Sequence, residues 1–158
     1  MNEINDLDPE FIDFIFGGLD HGIYSIKDTG GPLIPFLMTK TGDVEDLKRF
    51  MAKTLEESIK KAEEALHAMH PKPDYALIAF DGYLTREGTK FDAIYVKAFD
   101  KTVNEGFEFC QCYVPAENGE GIEPVGNAGF TGKTINMLMA DTSHSPHPET
   151  KKKPWWKF

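Results

Sequence analysis

Residues 74–115, DYALIAFDGYLTREGTKFDAIYVKAFDKTVNEGFEFCQCYVP, decide the fold. They contain three runs rich in β-branched and aromatic residues, broken by REGT and by KTVNE, which reads as three consecutive antiparallel strands. If the loop at residues 86–89 closes symmetrically, Thr85 faces Lys90, Tyr83 faces Asp92, Asp81 faces Ile94 and Ala79 faces Val96. One face then carries Leu77, Ala79, Ile94, Val96, Ala98, Cys110, Cys112 and Val114. The other carries Ile78, Phe80, Phe91, Tyr95, Phe99, Phe107, Phe109 and Tyr113. Both faces are apolar, so both should be covered: helices or loops on one, and on the other a partner protein or second copy that meets Tyr95, Phe99, Phe107 and Phe109.

Polar residues gather at one end of this meander. Asp81, Tyr83, Thr85 and Asp92 share a face near the hairpin, and two converging carboxylates can divide acid and base roles or hold a cation. Against that, aspartates at strand ends commonly bond local backbone N–H groups.

Outward from the meander, residues 43–69 repeat apolar side chains at three- and four-residue spacing: Val44, Leu47, Met51, Leu55, Ile59, Ala62, Leu66 and Met69. The pattern predicts one long amphipathic helix capped by Asp43, which ends before Pro71. Asp8 and Pro9 predict the start of a short N-terminal helix, with Gly17 and Gly18 as its stop. A first hairpin is expected to follow, its strands GIYSIKD and LIPFLMTKT joined around residues 29–32. The expected architecture is α+β: an antiparallel sheet of five or six strands, the long helix across it and the short helix beside that one. Residues 1–140 form one domain in this reading, and residues 141–158 a flexible basic and aromatic tail.

The chain has 158 residues with 41% hydrophobic and 27% charged, a composition suited to one globular domain. With 17 Lys and Arg against 26 Asp and Glu, the net charge of -9 argues against nucleic acid as a partner. No apolar run is long enough for a transmembrane segment and the acidic start is unlike a signal peptide, so a cytoplasmic location is expected. Cys110 and Cys112 fit a reducing compartment and core packing; a lone CxC meets no metal-site spacing, and no cofactor or metal is expected.

GNAGFTGKT, residues 126–134, resembles a phosphate loop only in its last three residues: the motif wants glycine at position 127, which is Asn127. This segment is expected to be a glycine-rich loop with a short strand at residues 122–125. His21 has no nucleophile placed beside it, and neither HExxH nor GxSxG is present. The tail KKKPWWKF holds both tryptophans, Trp155 and Trp156, with four lysines, which suits an acidic partner, an anionic membrane surface touched peripherally, or the protein's own acidic body.

No segment carries a family signature. The residues favour a non-enzymatic protein-binding module of the adaptor, inhibitor or immunity type. The alternative is a small enzyme or small-molecule binder with its polar site at Asp81, Tyr83 and Asp92.

Overall fold

The computed structural model describes residues 7–117 and 119–139. In chain order it has α1 (Pro9–Ile26), β1 (Phe36–Thr41), β2 (Val44–Arg49), α2 (Leu55–His67), β3 (Tyr75–Arg86), β4 (Thr89–Asp100), β5 (Glu105–Pro115) and β6 (Ile122–Ile135). The strands form a six-stranded sheet in the order β2-β1-β3-β4-β5-β6, with every neighbouring pair antiparallel. The α+β class and the antiparallel sheet are as the sequence implied. The tail from residue 141 onward, including Trp155 and Trp156, lies outside the described residues.

The two helices lie on opposite faces rather than side by side. One cluster joins Phe11, Phe14, Ile15 and Leu19 of α1 to Leu77, Ala79, Ile94, Val96, Phe107 and Phe109. The other joins Ile59, Ala62 and Leu66 of α2 to Ile78, Phe80, Tyr95, Phe99, Cys110 and Cys112. Tyr95, Phe99, Phe107 and Phe109 are therefore core side chains, at most 3% exposed, and do not form the open contact surface that the sequence reading gave them.

The β3–β4 register matches the sequence reading at all four expected pairs, because Glu87 and Gly88 make a two-residue turn with φ of 51° and 83°. β5 is displaced by one residue from the expected alternation. Ala98 pairs with Phe107 and Val96 with Phe109, so the two phenylalanines face α1 while Cys110 and Cys112 face α2. The cysteines are buried, as their apolar surroundings implied.

Three element boundaries differ for identifiable reasons. α1 runs through Gly17 and Gly18 to Ile26, so GIYSIKD is largely helix rather than strand. Gly18 and Gly22 serve close approach: a Cβ on Gly18 would lie 2.5 Å from Leu77 Cδ2, and one on Gly22 3.0 Å from Ile94 Cγ2. The expected long helix divides. Gly42, at φ 59°, starts the turn that pairs Thr41 with Val44, and residues 44–49 form an edge strand. The helix begins only after Thr54, whose side chain accepts from the Glu57 N–H at 3.1 Å. Thr-Leu-Glu-Glu at residues 54–57 has the Ser/Thr-x-x-Glu spacing of a capping box. Finally, GNAGFTGKT is not a loop but part of the 14-residue strand β6, and Lys133 pairs with Glu105 at 3.1 Å. Paired strand backbone does not curl into the nest that phosphate binding requires.

Candidate functional site

β1 pairs with β3 only as far as Ala79, whereas the β3–β4 hairpin continues to Arg86 and Thr89. The projecting end leaves a hollow of about 1110 Å³. Strand alternation divides its lining between two lobes, one on each side of the hairpin. On the α1 side it is lined by Gly31, Asp81, Tyr83, Thr85, Asp92 and Tyr113, and on the α2 side by Leu55, Phe80, Leu84, Tyr95, Glu108 and Thr131. All four residues singled out from the sequence, Asp81, Tyr83, Thr85 and Asp92, thus lie in the α1-side lobe.

They do different work there. Asp81 is 8% exposed and accepts the Leu33 N–H at 2.6 Å through Oδ2. The Tyr113 hydroxyl donates to its Oδ1 at 2.8 Å and reaches Oδ2 at 3.0 Å. Burial pushes the Asp81 carboxyl above its ordinary range, while the hydrogen bonds from Leu33 and Tyr113 pull the other way. Burial, and next the hydrogen bond to Asp81, also raise the Tyr113 phenol. This pair clamps the segment between α1 and β1 onto the sheet. Gly31 fits the clamp because a Cβ there would stand 2.9 Å from the Tyr113 hydroxyl and 3.2 Å from Asp81 Oδ2.

Tyr83 is 58% exposed, with the Lys90 ammonium 4.1 Å above its ring centroid. Tyr95 fixes the backbone beneath it by donating its hydroxyl to the Tyr83 carbonyl at 2.7 Å. Asp92 lies opposite Tyr83 in the ladder, and Thr85 opposite Lys90. Asp92 and Thr85 are exposed, so the outer half of the lobe offers a carboxylate, a hydroxyl, a phenol and an ammonium to solvent. Asp81 is engaged within the fold, though with the distant Leu33 N–H and Tyr113 hydroxyl rather than with local backbone, while Tyr83, Thr85, Asp92 and Lys90 are exposed.

The far wall is held by Gly121, at φ 80°. The Ile122 N–H donates to the Lys27 carbonyl at 3.0 Å, and a Cβ on Gly121 would fall on that same oxygen.

Sequence reading missed two residues that matter. Tyr113 was placed on the wrong face by the one-residue displacement of β5. Lys97, in the middle of β4, pairs with Glu108 across the ladder and is only 4% exposed. Burial lowers its pKa to about 7, with the charges of Glu108 and Glu63 opposing the shift. A lone lysine inside an apolar alternation was the available signal.

His21 lies within α1, not at a strand start. Its Nε2 is 3.3 Å from Arg49 Nη2 and its ring meets Phe36 edge-on. Burial first, and the Arg49 charge second, lower its pKa. Among the described residues, no group of three or more His, Cys, Asp or Glu is placed to hold a metal ion, and no helix is long and apolar enough to cross a membrane. Comparisons with protein-family models, curated proteins and solved structures return no match to this chain.

Proposed function

We propose that this chain is a binding domain whose site is the α1-side lobe at the β3–β4 hairpin end, and that it takes a small polar ligand bearing an amine. The observation that carries this reading is the convergence of Tyr83, Thr85, Asp92 and Lys90 on one hollow, above the buried Asp81–Tyr113 clamp. A concave site with a few convergent polar groups on rigid strands is the usual form of a small-molecule site. The Asp92 carboxylate lies on the same side of the hollow, and the Tyr83 ring already accepts a cation from Lys90, which favours a ligand with positive charge.

The test is thermal-shift screening with aliphatic and aromatic amines beside the matching alcohols and carboxylic acids. Selected amines raise Tm, and the rise disappears in Asp92→Asn and in Tyr83→Ala. If no amine raises Tm, or if the rise persists in both variants, the reading fails.

A protein-binding module is the second reading, and the sheet edge favours it. Among the described residues β6 pairs on one side only, and along it Phe130 is 37% and Ile135 72% exposed. A partner strand or second copy that adds to this edge would cover both. Light scattering that gives a strict monomer over a wide concentration range excludes the homodimer form of it.

A further inference from the structure

β2 is the other edge of the sheet, and it takes no part in the hairpin lobe. It pairs with β1 along its whole length without a shift of register, whereas the pairing of β6 with β5 shifts twice. No proline, glycine or bulge interrupts it. The Phe50 N–H donates to the Pro35 carbonyl at 2.9 Å, which sets the alternation of the ladder: Val44, Asp46 and Lys48 turn their backbone groups toward β1, and the N–H and C=O of Glu45, Leu47 and Arg49 point outward. The edge thus presents a row of unpaired donors and acceptors.

Its side chains are ordered by charge: Glu45 and Asp46, then Leu47, then Lys48 and Arg49. All four charged residues are exposed, and among the described residues none of them is in an ion pair within the chain. Glu45, Leu47 and Arg49 lie on the α1 face, opposite Lys40, Met38 and Phe36, while Val44, Asp46 and Lys48 lie on the α2 face.

We propose that two copies of this chain join through β2, antiparallel about a two-fold axis at Leu47, so that their sheets become one. In that register Glu45 meets Arg49 of the partner subunit and Asp46 meets Lys48 of the partner subunit, each pair occurring twice and each lying on one face. The backbone groups that must bond across the axis, those of Glu45, Leu47 and Arg49, are the ones that already point outward. Val44, 70% exposed, meets Phe50 of the partner subunit. Charge on an edge strand ordinarily keeps copies apart by like-charge contact. Here a shift of two residues either way does so, because it sets Asp46 against Asp46 or Lys48 against Lys48, while the central register gives every acid a base. A charge order complementary to its own reverse fits a second copy of itself better than a strand of uniform charge.

Sedimentation velocity over a concentration series tests this. The wild type passes from monomer to dimer as concentration rises, and added salt weakens the dimer severalfold by screening the pairs. Glu45→Lys/Asp46→Lys makes the edge wholly basic, and Lys48→Glu/Arg49→Glu makes it wholly acidic. Each double variant alone is monomeric where the wild type is dimeric, and an equimolar mixture of the two restores a one-to-one dimer. Circular dichroism checks that both fold, as their exposed positions imply. Leu47→Pro, which removes an N–H that makes no bond to β1, blocks association by a route that leaves the charges intact. A wild type that stays monomeric, a dimer that survives either charge reversal or Leu47→Pro, or folded variants that do not associate when mixed overturns the proposal.

Discussion

Each face of the sheet buries a charged side chain on a central strand, Asp81 on the α1 face and Lys97 on the α2 face, and the two are held differently. On the α1 face, Asp81 has both carboxylate oxygens occupied by donors, the Leu33 N–H and the Tyr113 hydroxyl. On the α2 face, Lys97 sits on a central strand among apolar and thiol side chains, and burial drives its pKa to about 7 despite nearby Glu108 and Glu63. A buried charge whose hydrogen bonds are built into the fold holds two segments together. One whose burial outweighs the favourable charges around it, as the lowered pKa of Lys97 indicates, costs stability in its charged form.

This contrast fixes the sign of the largest expected effects. Asp81→Ala leaves the Leu33 N–H and the Tyr113 hydroxyl buried without their acceptor and is expected to lower stability by about 3 kcal/mol. Asp81→Asn keeps an acceptor for Leu33 and should lose about 1 kcal/mol. Chemical denaturation of both variants checks the ordering, and equal losses would mean that Asp81 does not act as a clamp.

Lys97→Met acts in the opposite direction. Because the folded pKa lies below the unfolded value of 10.5, the stability linked to Lys97 is fully present above that value and is lost as pH falls through about 7. At pH 6 the substitution should therefore stabilise the fold, by on the order of 2 kcal/mol, and the gain should shrink toward pH 10. Tm measured across that range checks it; a loss at pH 6 would show that the ammonium is fully compensated. Asp81 has the reverse pH dependence. Its folded pKa is raised, so its contribution is fully present below 3.8 and is lost as pH rises through the folded value.

The smallest effect belongs to the boundary of the α2 layer. Thr54→Ala removes the cap that accepts from Glu57 and should lower stability by about 1 kcal/mol, restored by Thr54→Ser or Thr54→Asp. If Ala and Ser variants unfold together, the cap contributes nothing.

How much was legible in the sequence follows from whether the deciding signal was local. The β3–β4 register was legible because a two-residue turn at Glu87 and Gly88 leaves one way to align the strands, and that alignment puts Asp81, Tyr83, Thr85 and Asp92 together. The β5 register depends on the Asp100-to-Glu105 connection, where Asp100 Oδ1 accepts from both the backbone and hydroxyl of Thr102. Nothing in the apolar pattern announces that turn, so Tyr113 was assigned to the wrong face and the clamp was missed. Gly17 and Gly18 look like a helix stop, and only the nearness of Leu77 to Gly18 explains why a glycine stands there in a helix that continues. Val44 and Leu47 fit a helical repeat by spacing. Gly42 and the Thr54 cap, both visible in the sequence, mark the boundary that this repeat concealed. The apolarity of both faces was legible too, but the sequence could not say that two helices, one to each face, would cover them.

The central claim, that the α1-side lobe is a ligand site, is tested most directly by titrating isotope-labelled protein with the amines that raise Tm and following its backbone amide resonances. The account predicts saturable shifts confined to Gly31, Gly82, Tyr83, Thr85 and their neighbours, lost in Asp92→Asn. Saturable shifts elsewhere on the sheet, or none at all in this lobe, would contradict it.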